Sequence, residues 1–260
     1  MTAFLNDLPT WLVALIVVGG CTGIAVGLLL LVRGRVKASM REMHNDVAGY
    51  VFAVIGVLYA LLLGFVILAS WEHVGAAETN VHTEAASLTA LYESSVGLPG
   101  GMREQAQSEI RRYTSLVITV GWPALAHGRA SPQVDASLAR LYQIYAIGNR
   151  AGVPAGVDTA SLELLNQVSS ARADRLAGAH GFLTGPLWGV VIFGGICTLA
   201  FALLFYLENA GIQIAMMGIL AALISSMLFL LIILDHPFAG GYSISPEPLQ
   251  VALEQMHPGP

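Results

Sequence analysis

Four uncharged apolar runs, Trp11–Val32, Val47–Trp71, Gly181–Leu207 and Ala210–Leu234, limit what this chain can fold into. None contains Asp, Glu, Lys, Arg or His. A helix needs about 20 apolar residues to cross the hydrocarbon core of a bilayer. An unpaired backbone amide costs several kcal/mol there, so each run must close its hydrogen bonds internally, as a helix. The expected fold class is an all-α membrane protein with four transmembrane helices and a helical bundle inserted between spans two and three. The expected domains are a first transmembrane hairpin (1–71), an extramembrane bundle (72–180), a second hairpin (181–234) and a C-terminal tail (235–260) on the bundle's side.

Composition agrees with a bilayer as solvent. Only 11% of the residues are charged, against about 25% in soluble domains. A net charge of −5 offers no basic patch, so nucleic acid is not an expected partner. Cys21 and Cys197 each lie inside an apolar run and read as small packing residues, not a disulfide framework. The first run exceeds the roughly 7–15 residues of a signal-peptide core, and residues 1–10 hold no Lys or Arg. It reads as an uncleaved span.

Four of the twelve Lys and Arg residues, Arg33, Arg35, Lys37 and Arg41, fall in the short loop between spans one and two. The N-terminal tail, the Glu208–Asn209 turn and everything after Leu234 contain none. Short basic loops stay in the cytoplasm, whereas long segments cross largely regardless of charge. This bias predicts a multi-pass protein of a bacterial plasma (inner) membrane, with both termini and the bundle extracytoplasmic.

The segment 72–180 reads as helix. No breaker follows Trp71, so span two continues to about Val96, where Leu98-Pro99-Gly100-Gly101 ends it. A helix from Met102 to Gly121 carries Tyr113, Leu116, Val117 and Val120 at helical spacing and is closed by Trp122-Pro123. Ser131-Pro132 predicts a helix start, with a run to Arg150. After a 152–156 loop, Asp158 is placed to cap a helix to Ala179. Ser245-Pro246-Glu247 predicts a last short helix to Met256, with Leu249, Val251 and Leu253 as its apolar positions.

Small residues recur every four positions within the spans: Gly19, Gly23 and Gly27; Ala60 and Gly64; Gly181, Gly185 and Gly189; Gly218, Ala222 and Ser226. With Gly56, these are the candidate helix-packing positions, because small residues let helix backbones approach closely in lipid. They serve either the internal bundle or, through span one, another subunit. The absence of ionisable groups argues against a proton pump or ion-coupled carrier. It is compatible with a pore, for which Thr22, Thr198, Ser225 and Ser226 are candidate lining residues.

Few residues point to chemistry. Glu78 and His82 share a helical face and offer two metal ligands, but His127 and His180 stand at no metal-site spacing from them. No metal, cofactor or catalytic role is expected. Glu84 lies on the apolar line Ala77, Val81, Glu84, Leu88, Leu91. An unpaired carboxylate is costly there, so Glu84 is expected to pair with Arg111 or Arg112, or to bind a ligand. Asp235 ends span four, where an acid opposes the helix dipole, so it needs another reason to be there.

The run Gly49–Phe65 with Trp71, Glu84-Ala85 and Leu91-Tyr92 resembles a bacterial and plant membrane family, domain-of-unknown-function family 4239, often labelled bestrophin-like. The closing motif Asp235, Pro237, Phe238 and Gly240 is similar to that family's Asp-x-Pro-Phe-x-Gly ending. The resemblance implies four spans, a helical insertion and an ion-channel role. It also implies a cytoplasmic helical domain, opposite to the face that the Arg33–Arg41 loop predicts. The expected function is a subunit of a homo-oligomeric ion-permeable pore, with the lipid bilayer and inorganic ions as partners. The alternative is a non-conducting sensor or scaffold whose bundle binds a ligand or protein.

Overall fold

The computed structural model describes residues 10–35, 45–148, 153–205, 207–240 and 243–256. Lys37, Arg41, Arg150 and Gly152 lie outside them. The described residues are helical and contain no strand. The chain divides into two compact units, residues 1–72 with 181–235, and residues 73–180 with 236–260.

The first unit holds the apolar helices. Helix α1 (Thr10–Ala14) passes through a π-helical turn (Leu15–Gly19) into α2 (Gly20–Arg35). Helix α3 (Asn45–Ser94) begins in this unit and continues unbroken into the other. Helices α8 (Gly185–Ala202) and α9 (Ala210–Asp235) complete it. Among the described residues, four helices are long and apolar enough to cross a membrane. Ala25 and Leu29 of α2 bury against Met217 and Ala221 of α9. Tyr59, Leu63 and Val66 of α3 bury against Val191 of α8 and Ile224 and Leu231 of α9. Two buried hydroxyls are satisfied within their own helices: Thr198 donates to the Gly194 carbonyl at 2.8 Å and Ser225 to that of Ala221 at 2.5 Å.

The third apolar run is shorter as a helix than expected. Helix α8 starts at Gly185, not Gly181, with Pro186 in its first turn, and it stops at Ala202. The turn after it is held from α2. Arg33 donates to the carbonyls of Leu207 and Glu208, each at 2.9 Å, and to Gln213 Oε1. Gln213 in turn donates to the Phe205 carbonyl at 2.6 Å. The Asn209 side chain accepts the Gly211 N–H at 2.9 Å, satisfying an open donor at the start of α9.

The second unit contains the outer part of α3, α4 (Gly100–Leu116), α5 (Trp122–Leu125), α6 (Pro132–Gly148), α7 (Ala155–Gly178) and α10 (Glu247–Gln255). Its core joins Val81, Leu88 and Leu91 of α3 to Ile110 and Tyr113 of α4 and Leu141 of α6. Leu165 and Val168 of α7 enter the same core, as do Leu249 and Ala252 of α10 and the following Met256. Three details differ from the sequence reading. Trp122-Pro123 does not end its helix: a π-helical turn over Val117–Gly121 precedes it, and Pro123 falls in the first turn of α5, where a missing N–H is tolerated. Helix α7 starts at Ala155, so Asp158 lies in its first turn, with the helix dipole, and is not its cap. In α10 the inward positions are Leu249 and Ala252, one turn apart, whereas Val251 faces out.

Candidate functional site

Helical spacing carries Glu84 inward with Val81 and Leu88, and its side chain is fully buried. Its partner corrects the expectation from sequence. Arg175 of α7 donates from Nε to Glu84 Oε2 at 2.6 Å and from Nη2 to Oε1 at 3.1 Å. Tyr113 of α4 adds a third donor to Oε1 at 2.7 Å. The carboxylate is thus held by a planar fork and a phenol, the geometry in which a buried charge is tolerated. Burial is the largest influence and works against the Arg175 charge, but Glu84 and Tyr113 together outweigh it and raise the guanidinium above its ordinary value. Burial, then Glu84, pushes the Tyr113 hydroxyl well above its own.

Arg111 and Arg112 are elsewhere because Ile110 and Tyr113 take the inward positions of α4. Arg111 donates to Tyr92 Oη at 3.2 Å and lies over that ring, 5.8 Å from its centroid. Arg112 is exposed and stands 3.9 Å from Glu109, which is held by Ser137 at 2.6 Å and Arg140 at 3.0 Å. A signal for Arg175 was present in the sequence. It continues the buried line Leu165, Val168, Arg172 of α7, as Glu84 does that of α3.

The closing motif divides between the two units. Asp235, at the end of α9, accepts the Leu183 N–H at 2.8 Å and the Trp188 indole N–H at 3.3 Å. These donors explain an acid at a helix C-terminus. A Cβ at Gly181 would stand 2.9 Å from Asp235 Oδ2, so this approach requires glycine. In the other unit, Phe238 is buried edge-on to Trp122, with ring centroids 5.6 Å apart, and Arg175 lies over the other end of the chain of rings, 5.5 Å from Trp122. The Pro237 carbonyl accepts the Ile244 N–H at 2.8 Å, and Gly240 takes φ +81, a conformation that favours glycine.

Among the described residues, most of the candidate packing glycines do not sit at close contacts between helices of one chain. Positions for a Cβ at Gly19, Gly23, Gly27, Gly56, Gly64, Gly185 and Gly189 have no neighbour within 4 Å, and that at Gly218 has only Val26, at 3.9 Å. The close approach uses Gly194 and Gly195 of α8, which the four-residue stripes missed. Tyr59 packs there, its ring 2.5 Å from a Cβ at Gly194 and its Oη 2.8 Å from one at Gly195, and it donates to the Val191 carbonyl at 3.1 Å. Among the candidate lining residues, Thr198 and Ser225 are buried, and Thr22 Oγ1 is buried with no partner among the described residues. Ser226 is exposed. No group of three potential metal ligands occurs among the described residues, and His127 and His180 join no such group with Glu78 and His82.

The sequence matches the family described as Bestrophin-like domain over residues 19–249. No curated protein matches it. Among solved structures, a single-substitution variant of a bacterial bestrophin homologue from Klebsiella pneumoniae superposes with a TM-score of 0.70 at 10% identity, covering 92% of this chain and 97% of that one. The same homologue solved by Zn-SAD phasing gives a TM-score of 0.68 at 12% identity, covering 91% and 96%. At such identities the likeness speaks for the fold.

Proposed function

We propose that this chain, which belongs to the bestrophin-like family, is a subunit of a homo-oligomeric ion-permeable pore. The observation that carries this reading is the two-faced character of α3 in the apolar unit. Tyr59, Leu63 and Val66 are buried within the unit. The opposite face, Val57, Ala60, Leu61, Gly64, Phe65 and Leu68, lines an open groove of about 410 Å³. A Cβ at the packing glycines of α2 and α3 likewise has no neighbour within 4 Å among the described residues. A ring of such faces would form an uncharged constriction, of the kind that gates by dewetting. The small side chains of Ala60 and Gly64 would leave it room.

Wild-type protein in planar bilayers should pass discrete currents. Gly64→Leu should narrow the opening and lower the unit conductance. Protein that inserts as an oligomer yet stays silent in symmetric chloride salts of sodium and potassium would overturn the reading.

The orientation belongs to the same proposal. The basic residues from Arg33 to Arg41 favour a cytoplasmic loop and an extracytoplasmic bundle. Arg33 also has a structural use, as the clamp on Leu207 and Glu208, so it is a weaker topological signal than its charge suggests.

A further inference from the structure

Within the second unit, the outer part of α3 and the segment 243–255 enclose a groove of about 630 Å³. That lies within the roughly 300–1,000 Å³ range of small-molecule sites. Its floor is apolar and buried, formed by Val81, Ala85 and Ala252. Glu78 rises from one wall, on α3, and Glu247 from the other, at the start of α10.

Neither carboxylate is held by another side chain among the described residues. The ion pairs of Arg112, Arg140, Arg172 and Arg175 engage Glu109, Asp135 and Glu84, not Glu78 or Glu247. No hydrogen bond reaches either carboxylate among the described residues. No Lys or Arg lines the groove. Two like charges on separate elements therefore share one concave space with no cation of the chain to balance them. An anionic ligand is disfavoured by sign. A hard metal ion needs more oxygen ligands than two carboxylates supply and gains nothing from an apolar floor.

We propose that this groove binds a short aliphatic di-ammonium ion. One ammonium group takes Glu78 and the other Glu247, and the methylene chain lies on Val81, Ala85 and Ala252. The hydroxyls of Ser243 and Ser245 and the ring of His82 line the same space and can accept the remaining ammonium protons. The assignment is independent of the pore, because every lining residue belongs to the second unit.

Calorimetric titration of the full-length protein in detergent tests it, with cadaverine and putrescine as probes. At least one diamine should bind saturably. Pentanediol, which has the chain without the charges, should not. Glu78→Gln and Glu247→Gln should each weaken binding about tenfold or more, the loss of one charge-assisted hydrogen bond. Glu93→Gln, an exposed acid of the same helix outside the groove, should leave it unchanged. Both glutamates are exposed, so the variants should keep the wild-type melting temperature. Absence of saturable binding for both diamines would overturn the assignment, as would equal weakening by Glu93→Gln. So would a changed oligomer distribution in Glu78→Gln without diamine binding, which would make the groove a contact between copies.

Discussion

Arg175 grips both carboxylate oxygens of Glu84 across 91 residues of sequence, with the two side chains 2% and 0% exposed. Removing one partner strands the other. Glu84→Ala should therefore destabilise the protein by about 3–5 kcal/mol, and Arg175→Met by a similar amount. The double variant should cost clearly less than the sum of the two. Thermal unfolding in detergent measures all three, and strict additivity would refute the coupling.

Tyr113 gives this network a pH signature. Its folded-state pKa is raised well above 10.0, first by burial and then by Glu84. For an acid whose folded pKa is raised, the folded state holds its proton after the unfolded state has lost it. Stability is then full below about pH 10 and falls as the pH rises beyond it. The melting temperature should drop more steeply above that pH in wild type than in Tyr113→Phe. Equal slopes would mean that Tyr113 does not contribute.

Gly181→Ala should be costly at an otherwise exposed position. The added methyl group would meet Asp235 Oδ2 at 2.9 Å and push the carboxylate off the Leu183 N–H. A loss of about 1–3 kcal/mol is expected, as for other overpacked sites. Gly185→Ala, which meets nothing, should be nearly neutral. Comparable melting temperatures for the two variants would contradict this account.

Cysteine labelling in intact cells tests the orientation. Gly128 is unsuitable because its φ of +66 strains any side chain, so Arg129→Cys is used beside Gly34→Cys. An impermeant reagent should label Cys at position 129 and not at 34. The reverse pattern would put the bundle in the cytoplasm, as the family resemblance implies.

The glycines of α2 and α8 should behave differently. A Cβ at Gly23 meets nothing within 4 Å among the described residues, so Gly23→Leu should weaken the oligomer in native mass spectrometry while the four spans insert. Gly195→Leu would strike Tyr59 and should reduce the yield of folded protein. An unchanged oligomer distribution in Gly23→Leu would remove α2 from any subunit contact.

The sequence by itself determined the four spans and the helical class. Both follow from local rules: runs of uncharged residues, and backbone that must bond to itself in lipid. It also determined that Glu84 faces inward, because Val81 and Leu88 fix its side of the helix by periodicity alone. It did not determine what Glu84 meets. Arg111 and Arg112 are nearer in the chain, yet α4 turns Tyr113 inward, and α7 brings Arg175 from beyond two intervening helices. The reason for Asp235 was equally out of reach, since Leu183 and Trp188 lie 52 and 47 residues away. Glycine spacing pointed to Gly19, Gly23 and Gly27, whereas Tyr59 selected Gly194 and Gly195. Periodicity assigns a residue to a face of its own helix. Which face of which other helix it meets depends on how the helices pack, and only the tertiary structure decided that.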